Sequence, residues 1–198
     1  DLSNSDKTDG FIKGGARNLV KGDFSGKFLQ AGVAELTMAA ICNGIALHGG
    51  IHVACATFFV FSDYMKPAFR LSALMQMPVK YIWTHDAFRV GEDGPTHQPI
   101  EHEAQLRLLE KMQNHAGKMS MLALRPADAA ETSVAWKMAM ENTETPTALV
   151  LSRQNINDLP AATDRYTEAL KAEKGAYIVQ KNGENPKVIL IASGSEVA

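Results

Sequence analysis

The feature that most constrains the fold is a regular alternation of short apolar runs with longer amphipathic segments. The runs "IHVACATFF", "VKYIWTH", "KMSMLAL" and "TALVLS" have the length and composition of buried strands. The segments "FSDYMKPAFRLSALMQM", "EHEAQLRLLEKMQNH" and "PADAAETSVAWKMAMEN" lie between them and have helical spacing. This order predicts an α/β fold with a mostly parallel sheet that helices cover on both faces.

Elements at either end extend the pattern and then break it. "KFLQAG" resembles a short strand, and "AELTMAAICNGIALHGG" a helix that ends at its two final glycines. After residue 158 we expect a solvated connector over 159–175, and then a second unit over 176–198. That unit begins with a hairpin around Asn182 and Gly183 and the apolar strand "KVILIAS". A buried strand so close to the last residue suggests a fragment of a longer protein.

Composition excludes several classes of function. The 198 residues are 45% hydrophobic and carry a net charge of -2, which argues against a nucleic-acid partner. No apolar run approaches the roughly 20 residues of a membrane span. Cys42 and Cys55 lie in apolar surroundings, so we expect reduced core cysteines in a cytoplasmic protein.

Polar and aromatic residues follow the predicted strands. Because ligands of parallel sheets bind at the carboxyl ends of the strands, we expect these residues to converge on a site for a polar, anionic substrate. The loop "VGEDGPTHQP" is the most unusual of these segments, since it is both polar and stiffened by proline. The residues are Glu35, Phe58, Phe61, Tyr64, His85, Asp86, Asp93, His97, Ser152 and Arg153.

Each of these residues also has a simpler explanation. A glutamate such as Glu35 at a helix start is often only a favourable first-turn charge. Phe58 and Phe61 fit a core position, Arg153 fits a surface charge, and backbone groups could satisfy the histidines. Two histidines and one aspartate at these spacings match no compact zinc pattern, so no metal site is predicted.

Several strings together resemble the transketolase family. These are "GVAELTMAAICNGIALHGG", "ATFFVFSDY", "GEDGPTHQP" and "TALVLSRQN", of which "GEDGPTHQ" is the most specific. The resemblance covers nearly the whole chain. It implies that residues 1–158 are the pyrimidine-binding domain of the thiamine diphosphate-binding fold, 159–175 a linker, and 176–198 the beginning of the carboxyl-terminal domain.

The resemblance also implies an activity. The parent enzyme would transfer a two-carbon ketol unit from a ketose phosphate to an aldose phosphate in the pentose phosphate pathway. It would use thiamine diphosphate and a divalent metal, Mg²⁺ or Ca²⁺, and would be a homodimer with its active site between subunits. Two alternatives stay open, a deoxyxylulose-phosphate synthase and a non-catalytic binding or dimerisation module. The isolated chain is expected to be inactive.

Individual residues acquire roles from the same resemblance. Glu35 matches the catalytic glutamate that hydrogen-bonds the cofactor's aminopyrimidine ring, and His97 is the second expected catalytic residue. The aromatic pocket for that ring would be Phe58, Phe61 and Tyr64. The sugar phosphate would be bound by Ser5, His85 and Arg153, and the substrate hydroxyls by Asp93 and His97. The segment at Asp1 and Leu2 would approach the thiazolium ring.

The chain departs from the family pattern in two respects. It contains neither the Gly-Asp-Gly motif nor the later asparagine that hold the metal and diphosphate, so those ligands are expected outside this chain. The segment 109–121 is longer than the resemblance leads us to expect, and the sequence suggests no role for it.

Overall fold

The sheet has four strands, and all of them are parallel. The structure is a computed structural model that describes residues 13–86 and 88–197. The spatial order of the strands is β1-β2-β4-β3, so the connection from β2 to β3 passes over β4. The strands are β1 (Ala54–Phe58), β2 (Lys80–Thr84), β3 (Leu122–Leu124) and β4 (Thr147–Val150). The predicted α/β class and all four of these strands are therefore confirmed.

Helices connect the strands as the sequence predicts. The first helix precedes β1. The second, third and fourth helices follow β1, β2 and β3, each after a loop. The helices are α1 (Glu35–His48), α2 (Ser62–Leu74), α3 (His102–Lys111), α4 (Ala129–Glu141) and the short α5 (Arg165–Ala169). Ala34, Glu101 and Phe61 provide no side-chain cap, whereas the Asp128 side chain caps α4.

Both faces of the sheet are covered. On one face Tyr81 and Trp83 of β2 pack in a core with residues of α1, α2 and α3. On the other face Leu149 of β4 packs against α4. Successive strand residues point to opposite faces, so a strand that is covered on both sides is apolar throughout.

Cys42 and Cys55 are buried and free, as predicted. None of the described helices is long and apolar enough to cross a lipid bilayer.

Two predicted β segments are wrong. "KFLQAG" forms no strand, and Phe28 makes only an isolated bridge with Asn18. In the described residues 176–197 there is neither a hairpin nor a strand. The apolar residues Val188, Ile189, Leu190 and Ile191 are 71% to 92% exposed. Apolar composition makes a strand only where a neighbouring strand accepts its hydrogen bonds, and no described strand lies beside these segments.

The expected connector is more structured than predicted. It contains α5 and a 3-10 helix over Leu170–Lys174, and its Leu159 and Ala169 are buried. Asp128 anchors it, because one carboxylate oxygen accepts the Leu159 N–H at 3.0 Å and the Arg165 Nε at 2.5 Å. The other oxygen caps α4 by accepting the Glu131 N–H at 2.8 Å.

The segment 109–121 completes α3 and then forms a tight loop. Asn114 organises the loop, since its side-chain oxygen accepts the N–H groups of Ala116 and Lys118 at 2.9 and 3.0 Å. An antiparallel bridge between Gln113 and Met119 closes it. The segment therefore serves as the turn that returns the chain from α3 to β3.

The buried Asp128 carboxylate generates a first prediction. Burial alone raises the pKa of this carboxyl, but hydrogen bonds from Arg165 and from the Glu131 and Leu159 N–H groups outweigh it and lower the pKa. Asp128→Asn should destabilise the protein by about 3–5 kcal/mol, because it removes one partner of a buried ion pair. Urea unfolding near pH 7 measures the change.

The control is Asp164→Asn, which alters the exposed cap of α5 and should cost less than about 1 kcal/mol. Acid should reduce the difference between wild type and Asp128→Asn. A depressed carboxyl pKa stabilises the fold above the unfolded pKa, and this stabilisation is lost as pH falls through the folded pKa. Equal losses of unfolding free energy in Asp128→Asn and Asp164→Asn would contradict the conclusion that Asp128 forms a stabilising buried ion pair.

Lys80 generates a second prediction. It lies at the start of β2, is 1% exposed, and donates from Nζ to the Asn142 carbonyl at 2.8 Å. Burial lowers its pKa to about 8. Above that pH the unfolded chain retains a proton that the folded chain has lost, so stability rises with pH up to the ordinary lysine value near 10.5.

Relative to Lys80→Met, the wild type should therefore gain up to about 3 kcal/mol of unfolding free energy between neutral pH and pH 10.5. Denaturant unfolding of both proteins across this range measures the gain. Subtracting the unfolding free energy of Lys80→Met from that of wild type removes the contributions of tyrosines and cysteines, which titrate in the same pH range in both proteins. A constant difference would show that the Lys80 pKa is not lowered.

Candidate functional site

The predicted site residues lie at the carboxyl ends of three neighbouring strands. Phe58 ends β1, His85 follows β2, and Arg153 follows β4. Because the strands are parallel, these ends meet at one edge of the sheet, which we call the rim. The structure thus brings together residues that the sequence separates by up to 95 positions, from 58 to 153.

Aromatic rings form a row at the rim. Phe58 stacks on Phe61 with centroids 5.9 Å apart and an interplanar angle of 15°, and Phe61 lies 5.9 Å from Tyr64 at 32°. The two predicted histidines adjoin the row. His85 stacks on Phe58 at 3.6 Å, and His97 meets Phe61 edge-on at 5.2 Å. Phe58 and Phe61 are partly buried and Tyr64 is exposed, so the row presents flat ring surface at the edge of the domain.

An unusual backbone conformation places His85. Its φ angle is +63°, in the left-handed region that residues other than glycine seldom adopt. The ring is buried, with Nδ1 3.0 Å from the Thr84 hydroxyl and Nε2 3.5 Å from the Asp93 carboxylate. Such conformations persist where surrounding contacts impose them, and they are common at ligand sites.

Asp93 lies between the side chains of His85 and Arg153. Its Oδ2 accepts a hydrogen bond from Arg153 Nε at 3.1 Å and is 3.5 Å from His85 Nε2. The Arg153 guanidinium also donates to Glu92. Arg153 and His85 therefore converge on one carboxylate group, as expected for a pair that can bind an anion.

Asp93 and His97 end two short 3-10 segments, Phe88–Asp93, which is kinked at Gly91, and Pro95–His97. Gly91 lies at the kink within the first segment and Gly94 lies between the two, with φ angles of +71° and +77°. Those angles strain any residue with a Cβ atom, which explains the glycines. Within the second turn, the Thr96 hydroxyl lies 2.9 Å from His97 Nδ1. The loop is thus stiffened on both sides of its functional groups.

Glu35 occupies the first position of α1 and is 8% exposed. No described residue donates a hydrogen bond to its carboxylate. Glu35 is an acid in the first turn, where a negative charge interacts favourably with the helix dipole. This position by itself would explain a glutamate here without any catalytic role. A buried carboxylate usually has donors around it, so its acceptor capacity is also suited to a ligand.

Arg125 is the main rim residue that the sequence did not reveal. It follows β3, is largely buried, and donates to both Glu196 oxygens at 2.8 Å and to Asp86 at 3.2 Å. Ser195 in turn donates to Asp86 at 3.0 Å. The Arg-Pro pair after a short apolar run was the only signal, and a single charge after a strand indicates a surface residue as readily as a buried one. Arg125 attaches residues 193–196 to the rim.

Some predicted positions lie elsewhere. Ser5, Asp1 and Leu2 are outside the described residues. A cavity of about 570 Å³ is lined by Lys118, Met119, Leu122, the end of α4 and the loop after it, together with Glu173, and it contains none of the predicted site residues. Leu122 begins β3, so this cavity is at the opposite edge of the sheet from the rim. The rim itself is an open surface, and the roles of its residues stay predictions.

Fold and rim together define an α/β domain that presents aromatic and charged groups at the carboxyl edge of a parallel sheet, where ligands of such folds bind. Comparison with known families matches residues 2–158 to "Transketolase, pyrimidine binding domain". The chain therefore belongs to the transketolase family and contains its pyrimidine-binding domain.

Full-length relatives agree with this assignment. Over the whole chain it is 49% identical to a transketolase of Halalkalibacterium halodurans and 51% identical to one of Bacillus subtilis. The chain spans 28% of the length of each of these relatives.

Solved structures show the same similarity. A transketolase variant of Pichia stipitis in complex with fructose 6-phosphate superposes with a TM-score of 0.81 at 38% identity, covering 98% of this chain and 28% of that one. A complex of the Pichia stipitis enzyme with sedoheptulose 7-phosphate gives 0.79 at 40% identity, covering 92% and 26%.

Proposed function

We propose that the protein containing this chain is a transketolase. It transfers a two-carbon ketol unit from a ketose phosphate, such as xylulose 5-phosphate, to an aldose phosphate, such as ribose 5-phosphate, in the pentose phosphate pathway. One observation carries the proposal: His85, Asp93 and Arg153 meet beside the aromatic row. They do so in a chain about half identical to transketolases.

The described residues fit the aminopyrimidine half of thiamine diphosphate. Stacked aromatic rings suit a flat heterocycle, and the buried Glu35 carboxylate has acceptor capacity for a ring nitrogen. When bound, thiamine diphosphate supplies the stabilised carbanion chemistry of the reaction. The divalent metal, Mg²⁺ or Ca²⁺, and the diphosphate are bound by residues outside this chain.

In this proposal each residue has a limited task. Glu35 would hydrogen-bond the ring nitrogen of the aminopyrimidine and exchange a proton with it. Phe58, Phe61 and Tyr64 orient the ring. His97 and Asp93 hold substrate hydroxyls, and the stiff loop fixes their depth. His85, Arg153 and Ser5 bind the phosphate of the sugar.

The proposal extends to assembly and location. The protein is a cytoplasmic homodimer with the rim of one subunit facing the diphosphate-binding domain of its partner. Apolar residues in and near α1 are exposed in the single chain. Soluble monomers seldom expose such patches, so this exposure supports an interface with a partner subunit at α1. The exposed residues include Val33, Leu36, Leu47 and Ile51.

Glu35→Gln in the full-length enzyme tests the catalytic role. The substitution preserves size and removes the group that shares the proton. Turnover should fall by about 10²–10⁴-fold, the usual contribution of a positioned acid or base. The thermal midpoint should stay close to that of wild type.

Exchange of the thiazolium proton into deuterated water separates this role from a structural one. It should slow in parallel with turnover. An unchanged exchange rate would return Glu35 to the status of an ordinary first-turn acid.

Arg153→Ala tests the phosphate site. A charge-assisted hydrogen bond contributes about 1.5–3 kcal/mol. The KM for xylulose 5-phosphate should therefore rise about tenfold to hundredfold. Hydroxypyruvate has no phosphate, so its KM should scarcely change.

Glu92→Gln is the variant to compare with Arg153→Ala, because the largely exposed Glu92 carboxylate accepts a hydrogen bond from the Arg153 guanidinium and competes with a phosphate for it. It should lower the KM for the sugar phosphate by about two- to fivefold, in line with the small contribution of exposed ion pairs. Equal losses for both substrates in Arg153→Ala would show that Arg153 is structural.

A further inference from the structure

A buried histidine that has no assigned role toward cofactor or substrate lies between two carboxylates where α2 and α3 begin. Asp63 is in the first turn of α2, Glu101 directly precedes α3, and His102 is its first residue. His102 Nε2 is 3.1 Å from Asp63 Oδ2, and Nδ1 is 3.9 Å from Glu101 Oε2. One ligand atom from each of the three residues lies within 4.8 Å of the other two.

The histidine is unusual because its polar atoms are buried and unsatisfied. His102 is 5% exposed, and neither ring nitrogen forms a hydrogen bond with a described residue. Buried polar groups without hydrogen bonds destabilise a fold, so such a group requires an explanation. The Phe59 ring packs at 5.7 Å against one side of the imidazole and helps to hold its orientation toward the carboxylates.

From this grouping we propose that Asp63, Glu101 and His102 bind a divalent transition-metal ion through one imidazole nitrogen and one oxygen of each carboxylate, with Zn²⁺ as the best match. Zn²⁺ binds imidazole nitrogen and carboxylate oxygen at about 2.0–2.2 Å. Two tetrahedral ligands at such bond lengths lie about 3.4 Å apart. The 3.1 Å between His102 Nε2 and Asp63 Oδ2 is close to that spacing.

The ligand set also selects among metals. An imidazole ligand disfavours Mg²⁺ and Ca²⁺, which take oxygen ligands. The Asp63 and Glu101 side chains are 46% and 62% exposed, so solvent can reach the ion and supply its remaining ligands. Access is therefore from the surface, and His102 is the inner ligand.

A bound ion would join two elements that adjoin the rim. Asp63 directly precedes Tyr64 of the aromatic row, and α3 follows the loop 91–99 that holds Asp93 and His97. Zinc at this position would fix the start of α2 relative to the end of that loop. The simpler alternative is that His102 contacts the two carboxylates directly and binds no metal.

Zinc titration of the full-length protein distinguishes these possibilities. The protein is first saturated with Mg²⁺ and thiamine diphosphate, so that the cofactor's metal site is filled. Calorimetry with ZnCl₂ should then show one ion bound per chain, and the thermal midpoint should rise with zinc concentration. A further addition of Mg²⁺ should reproduce neither result.

Two variants locate the ion. His102→Gln should weaken zinc binding by at least about tenfold, because outer-shell partners alone contribute about 10–100-fold to metal affinity. Asp63→Asn should weaken it in the same direction. His115→Gln removes an exposed histidine outside the cluster and should bind zinc as wild type does.

Wild-type affinity in both His102→Gln and Asp63→Asn would overturn the proposal, as would the absence of zinc binding to the wild-type protein. If His102→Gln fails to fold, Asp63→Asn decides the question, since its side chain is half exposed and its loss leaves the core intact. None of these outcomes depends on the transketolase activity, so this inference and the proposed function fail independently.

Discussion

Parallel strand direction is the constraint on which the rest of the structure depends. In the register of the sheet, Phe58 pairs with Thr84, and Trp83 pairs with Val150. The residues that follow these positions therefore emerge at one edge. Reversing any one strand would send its terminal side chain to the opposite edge and separate the aromatic row from the charged pair. Parallel direction in turn requires the crossover helices, which cover both faces and make the strands apolar.

Charge at the rim is balanced within the domain. His85 and Arg153 share the Asp93 carboxylate, and Arg153 also has Glu92. Without these acids, the Arg153 guanidinium would lie at this edge with no counter-charge beside it. An anionic ligand must therefore compete with carboxylates already present, which lowers affinity for anions in general. Discrimination then depends on ligands that satisfy the cations and the aromatic surface together.

Two ion pairs attach the chain after residue 158 to the rest of the domain, one of them buried and the other with a partly exposed carboxylate. Arg165 joins the connector to Asp128 at the start of α4, and Arg125 joins Glu196 to the end of β3. Removing Arg165 would leave the Asp128 charge buried, which costs far more free energy than an exposed ion pair contributes. These contacts explain why the connector is ordered, although its composition is that of a solvated segment.

The amino-acid sequence by itself determined the order of strands and helices and most of the residues at the strand ends, although not Arg125 after β3. Both follow from local patterns: apolar runs bounded by turn residues, and the polar side chains directly after them. Local pattern was insufficient for "KFLQAG" and "KVILIAS", because a strand exists only where another strand accepts its hydrogen bonds. Only the tertiary structure revealed the pairs Arg125–Asp86, Arg165–Asp128 and His102–Asp63. Their partners are 37 to 39 positions apart, and whether a charge is buried beside its counter-charge depends on packing that no local periodicity encodes.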